Sequence, residues 1–275
     1  MKLFSIKKIK ILGVPFDACT KEEALARIHD VLHNRLSEKG KHIVTPNPEM
    51  LMEAKANPLF KKVLNQAWMS IPDGAGILWA STYHLLPRTL PRRRWLGWLN
   101  LVAMMFAPSR ACKALPERVT GIDLMEGICR NFVGTNRRIF LLGGAPGIAE
   151  KAKNMLEKKC PGVSIAGTFS GSPQEEDFPG IQSLIAELRP EVLFVAFGSP
   201  LQELWIHHYL PALPSVKIAM GVGGAFDFLA GKRKRAPQFM RKMGLEWLYR
   251  LIQEPSRLRR IWNATVRFPR EVMKN

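Results

Sequence analysis

The sequence predicts an α/β fold: a Rossmann-like, mainly parallel sheet flanked by helices, with a C-terminal amphipathic helical appendage. Three observations predict it. Over residues 1–231, short apolar runs alternate with helix signals, the pattern of parallel strands joined by crossover helices. Polar and glycine-rich clusters follow those runs, at the edge where open α/β sheets bind ligands. Residues 232–275 then change character, with 13 basic residues against 3 acidic and apolar residues at helical spacing.

The elements follow in order. Lys10–Val14 reads as a strand. Thr20 with Glu23 forms a capping box that opens a helix to about Leu36. His42–Thr45 is a strand, and Asn47-Pro48 caps and starts the next helix. Trp68–Ile71 is a strand ending in Pro72-Asp73-Gly74. Arg138–Leu142 runs into the turn Gly143–Gly147 and then a helix to about Lys159. Val163–Gly167, Val192–Phe197 and Lys217–Met220 are further strands, with helices around 179–189 and 200–210.

Two segments break the pattern. Trp95–Ala107 is a 13-residue, almost wholly apolar run flanked by Arg92-Arg93-Arg94 and by Arg110 and Lys113. It is too short to span a bilayer, and fits either a membrane-facing element or an extra helix packed on the core. Residues 238–268 read as two amphipathic helices, one with Met240, Met243, Trp247 and Leu251 on a face, the other with Leu258, Ile261, Trp262 and Thr265.

The 275 residues, 47% hydrophobic and 23% charged, are long enough for a substantial core and exclude wholesale disorder. The net charge of +18 is concentrated: +10 in residues 232–275 and +6 in residues 88–118. A near-neutral body with two basic patches predicts an anionic partner. Four cysteines at 19, 112, 129 and 160 lack metal-ligand spacing and read as reduced thiols. The N-terminus lacks the apolar run of a signal peptide. The expected location is cytoplasmic.

Every polar candidate follows a predicted strand. Asp73 is either a turn residue or a cleft carboxylate able to take a hydroxyl proton. Thr45 and Asn47 are either helix caps or ligand contacts. Gln202 is a helix-start residue or a sugar-binding amide, and Asp227 either serves its own loop or a ligand. Gly143 and Gly144 form an ordinary strand–helix turn or a phosphate cradle. No Asp-x-Asp pair occurs, so no metal site is expected, and a diphosphate would depend on arginines for neutralisation.

Several stretches together resemble the WecG/TagA/CpsF glycosyltransferase family. They include Thr45-Pro46-Asn47-Pro48-Glu49, Pro72-Asp73-Gly74, Glu117-Arg118-Val119-Thr120-Gly121 and Phe140–Gly144. Further on come Gly198–Glu203, Gly221–Gly231, Arg235-Ala236-Pro237, Gly244–Arg250 and Glu254–Arg257. The resemblance implies an inverting, metal-independent transferase without a cofactor. It would move an N-acetylmannosamine-type sugar, or its uronic acid, from UDP to a polyprenyl-diphosphate-linked acceptor at the inner membrane face. It implies Asp73 as base, and Thr45, Asn47, Arg118, Gln202 and Asp227 around the nucleotide sugar. Arg250, Arg257 and Arg260 would close over the diphosphate. Residues 1–231 would form the catalytic domain and 232–275 the basic appendage. The connection at about 86–114 is longer than the family's and is expected to face the membrane.

The expected partners are therefore a UDP-sugar, a lipid-linked acceptor and an anionic membrane surface. A homo-oligomer is compatible with the sequence but not specified by it. A UDP-glucose-type hexosyltransferase is the nearest alternative, and a nucleotide-dependent oxidoreductase is a more distant one. A nucleic-acid-binding protein would account for the charge but not for the apolar run or the strand-end cluster, so no nucleic acid partner is expected.

Overall fold

The structure is a computed structural model that describes residues 7–33, 39–87, 89–90, 92–106, 114–233, 236–237, 240 and 246–274. It opens with a β-hairpin of β1 (Lys8–Ile11) and β2 (Val14–Asp17). The single strand expected over Lys10–Val14 is thus the hairpin's bend. Leu12 and Gly13 both take positive φ, 50° and 83°, as a two-residue turn matching strand twist requires. Helix α1 (Lys21–His33) starts at the expected capping box. Thr20 N donates to Glu23 Oε2 at 2.8 Å, and Glu23 N donates to Thr20 Oγ1 at 3.2 Å. The continuation of this helix to Leu36 lies outside the described residues.

The main sheet is built from β3 (Lys41–Val44), β4 (Met69–Ser70), β5 (Arg138–Gly143), β6 (Ser164–Phe169), β7 (Val192–Ala196) and β8 (Ile218–Gly221). Its order is β4-β3-β8-β7-β5-β6 and every pairing is parallel. The central strands β5, β7 and β8 are nearly continuous apolar runs because both faces are covered. Ile139 and Leu141 face one layer while Phe140 and Leu142 face the other.

The first layer contains α1, α6 (Gly121–Asn131), α7 (Ile148–Lys159) and α10 (Ala225–Leu229), through Ile28, Leu124, Ala149 and Phe226. The second contains α8 (Phe178–Leu188) and α9 (Leu201–Tyr209), through Ile185 and Ile206. A further core joins the hairpin to α2 (Pro48–Ala56), α3 (Pro58–Gln66) and α4 (Ala75–Tyr83). Buried Asp17 fastens the hairpin to the sheet edge, accepting from Ser70 N at 2.8 Å.

The apolar run forms α5 (Arg93–Phe106), and its inner face packs on the core. Gly97 makes the close approach: a Cβ there would lie 2.7 Å from Tyr83 Cε2 and 3.1 Å from Met273 Sδ. Its carbonyl accepts from Trp79 Nε1 at 3.0 Å, locking α5 to α4.

The C-terminal segment comprises α11 (Glu246–Gln253), α12 (Leu258–Trp262), a π-helical turn over Asn263–Arg267 and α13 (Phe268–Lys274). Leu258 and Trp262 are exposed, while Ile261 and Thr265 are partly buried. Phe268 and Val272 are fully buried among α2, α4 and the hairpin. The last helix is therefore packed into the body's core. The stripe expected over Met240, Met243 and Trp247 lies largely outside the described side chains.

Candidate active site

The carboxyl ends of β3, β4, β7 and β8 open into a cavity of about 610 Å³. Thr45, Asn47, Asp73, Arg118, Gln202, Asp227 and Arg260, all candidates from the sequence, line it. Each is placed by a local constraint.

Asp73 sits between the end of β4 and the start of α4. Its N–H donates to the Pro46 carbonyl at 3.1 Å, which ties it to the loop after β3. Val119 N donates to the Pro72 carbonyl at 3.1 Å, bringing Arg118 alongside. Gly74 has φ 106° and ψ 144°, a conformation that residues with a Cβ rarely adopt, and it lets the chain turn into the helix immediately after Asp73. Asn47 Oδ1 accepts from Met50 N at 2.9 Å and caps α2, leaving its NH2 as the end available to a ligand. Thr120 caps α6, accepting from Asp123 N at 3.3 Å. Gly121 lies against Thr45: a Cβ there would be 3.3 Å from Thr45 Oγ1.

Gln202 does more inside the protein than the sequence suggests. Its Oε1 accepts from Gly198 N at 3.2 Å and Gly223 N at 3.0 Å, clamping the loops after β7 and β8 together. Its Nε2 donates to Glu203 Oε1 at 2.7 Å. Glu203 is buried, and its Oε2 has no hydrogen-bond partner among the described residues. Burial pushes this carboxyl up to about 7, against the opposing pull of its hydrogen bonds, Gln202 first. Gly221 makes room for the pair, since a Cβ there would lie 2.5 Å from Gln202 Nε2.

Gly143 and Gly144 do not line the cavity. Gly144 N donates to the Ala196 carbonyl at 3.1 Å, and a Cβ on Gly143 would meet Phe197 Cδ1 at 2.9 Å. This glycine turn serves close packing of β5 against β7.

The charges lining the cavity are extensively paired. Arg260 pairs with Glu49 at the start of α2. Arg233 Nε lies 2.9 Å from Glu254 Oε1 and 3.7 Å from Asp227 Oδ2. Asp227 therefore holds its own return loop while facing the cavity. The sequence reading missed Glu49, Arg233 and Glu254 as site residues. The basic run after Gly231 was the available signal for Arg233, and both glutamates lie within the stretches that carry the family resemblance. Arg250 and Arg257 lie on backbone that is described, but their side chains are outside the described residues. Among the described residues no cluster of His, Cys, Asp and Glu could hold a metal ion.

A parallel α/β sheet whose strand ends gather a carboxylate, amides, hydroxyls and arginines around one cavity has the construction of a ligand-binding site. The comparisons identify the class. Residues 9–98 and 100–275 match the Glycosyl transferase WecG/TagA/CpsF family, and the chain belongs to that family. The two matched stretches adjoin at Leu99, within α5. The chain is 33% identical, over 81% of its length and 75% of the relative's, to an N-acetylglucosaminyldiphosphoundecaprenol N-acetyl-beta-D-mannosaminyltransferase of Bacillus spizizenii. It is 30% identical to a protein of the same name from Staphylococcus aureus strain MRSA252, over 92% of its own length and 88% of the relative's. The protein is thus a glycosyltransferase.

Proposed function

We propose that the protein transfers N-acetylmannosamine, or the corresponding uronic acid, from UDP to N-acetylglucosamine carried on a polyprenyl diphosphate. The observation that carries the reading is the position of Asp73 on the rim of the strand-end cavity, facing the same space as Arg118, Asp227 and Arg260. The relatives' names supply the acceptor class.

The reaction is a single displacement. Asp73 takes the proton of an acceptor hydroxyl as its oxygen attacks the anomeric carbon from the face opposite UDP. The new C–O bond forms as the bond to the UDP phosphate breaks, with inversion at that carbon. The departing diphosphate gains charge, and arginines neutralise it without a metal ion. Arg260 is the described candidate, with Arg250 and Arg257 from the same segment. To do so, Arg260 exchanges Glu49 for the diphosphate. Thr45, Asn47 and Arg118 line the donor space, and Gln202 shapes it by holding two of its loops. A lipid-linked acceptor places this chemistry at the inner membrane face, with the enzyme peripheral. No helix among the described residues is long and apolar enough to cross a membrane.

The test is Asp73→Asn assayed with UDP-N-acetylmannosamine and a short polyprenyl-diphosphate N-acetylglucosamine acceptor. Turnover should fall by at least about 100-fold, the lower range for loss of a general base, while UDP binding persists. Transfer at the wild-type rate would remove Asp73 from its role. Wild-type transfer that stops on chelation and returns with magnesium would overturn the metal-free mechanism.

A further inference from the structure

Helix α5 has one face that the fold explains and one that it does not. The inner face is fixed by Gly97 against Tyr83 and Met273, by the Trp79–Gly97 hydrogen bond, and by Trp98 and Leu101 packed on the core. Leu101 also lines the active-site cavity.

The opposite face carries Trp95 and Leu99 at i and i+4, one side of a helix, and Arg92 precedes the first helical residue. Trp95 is 61% exposed and Leu99 47%, and Leu85, which follows α4, is 55% exposed. Arg92 and Arg94 are exposed and have no ion-pair partner among the described residues. A tryptophan and leucines presented together with unpaired arginines make a surface that is apolar at its centre and cationic at its edge. Water is a poor solvent for the first part, and an anionic surface attracts the second.

We infer that this outward face of α5 docks on an anionic lipid bilayer and seats the cavity at the headgroup layer. The purpose of the docking rests on the transferase reading above, since only a lipid-linked acceptor needs it. The geometry suits that purpose. A helix with its side chains is about 10 Å across, so a bilayer touching Trp95 and Leu99 lies about one helix diameter from Leu101 at the cavity wall. The acceptor's diphosphate and first sugar can then enter without leaving the headgroup region. Trp belongs at that depth, with its ring in the apolar boundary and its N–H among the headgroups. The rigid seat on α4 matters as much as the exposed face, because it fixes the cavity's orientation toward the membrane.

The test uses the full chain and vesicles of phosphatidylcholine, either alone or with roughly one-quarter phosphatidylglycerol. Wild type should co-sediment with the anionic vesicles far more than with the neutral ones, and added salt should release it. Trp95→Ser/Leu99→Ser and Arg92→Gln/Arg94→Gln should each weaken partitioning by roughly tenfold or more, as expected for loss of two interfacial side chains. The same exchange at Leu258 and Trp262 is the control at a second exposed apolar pair and should have a smaller effect. Thermal unfolding verifies that the variants fold. Turnover of a short-chain, water-soluble acceptor should be unchanged in the α5 variants, while turnover of an acceptor embedded in anionic vesicles should fall with their binding. Undiminished vesicle binding by folded α5 variants would overturn the proposal. So would a wild-type dimer that these substitutions dissociate, since a second copy would then own the face. If the soluble acceptor is not used even by wild type, the transferase reading fails, and vesicle binding still decides the docking.

Discussion

Glu203→Gln isolates the cost of a buried carboxyl beside the active site. Glu203 is 2% exposed, one of its oxygens takes a hydrogen bond from Gln202, and the other has no hydrogen-bond partner among the described residues. Burial raises it from the ordinary 4.5 to about 7. At pH values below the unfolded 4.5 the group is protonated in both states and has no pH-dependent effect. As pH rises through that value the unfolded chain releases its proton while the folded protein keeps it, so stability falls. The fall ends once the folded group also ionises near 7. The whole rise corresponds to about 3 kcal/mol, of which about 2–3 kcal/mol falls between about pH 5 and pH 8. The substituted amide does not titrate, and its oxygen can still accept from Gln202. Its stability relative to wild type should therefore improve by that amount between the two pH values, whatever constant offset the new NH2 introduces. For a chain of this size the change corresponds to roughly 4–12 °C in Tm. Differential scanning calorimetry of both proteins at both pH values measures it. A difference in Tm between variant and wild type that stays constant across this range would refute the argument.

The remaining predictions concern the surrounding architecture. Gly221→Ala places a Cβ 2.5 Å from Gln202 Nε2 and should cost about 1–3 kcal/mol while loosening the two loops, read as a lower Tm together with lower turnover. Unaltered values of both would show that the clamp is dispensable. Glu49→Gln releases Arg260 and should strengthen UDP binding by up to about fivefold, the range for a partly exposed ion pair of roughly 0.2–1 kcal/mol. Calorimetric titration showing weaker UDP binding would contradict the partner exchange. Phe268→Ala should cost about 3–5 kcal/mol, lowering Tm by roughly 6–20 °C. A drop of a degree or less would mean that α13 is not part of the core.

The sheet and the site edge were legible because each depends on a local signal. The strands are apolar runs of the right length, and the capping box at Thr20–Glu23 and the cap at Asn47 are side-chain–backbone bonds within three residues. Asp73, Thr45 and Asp227 could be gathered because parallel strands bring all their ends to one edge, whereas Arg118 came only from the family resemblance. What was not legible depended on geometry between distant segments or on a break in period. The hairpin turn uses Leu12-Gly13 in place of the more usual Asn-Gly, so its bend read as strand. The π-helical turn at Asn263–Arg267 shifts the helical phase, so Leu258 and Val272, which 3.6 residues per turn would put on one face, part company: the first is exposed and the second buried. Gln202 lines the cavity, but the partners that occupy its amide lie in two other loops and in its neighbour Glu203, which spacing alone does not reveal.

The burial of α13 also bears on how members of this family can be recombined. A crossover placed in the basic stretch near residue 232 looks harmless on charge and composition, yet it would graft a foreign Phe268–Val272 surface onto resident α2 and α4 side chains that it was never fitted to. Functional chimeras should therefore exchange α2, α4 and α13 as one set, with the turn at Pro72-Asp73-Gly74 travelling between them.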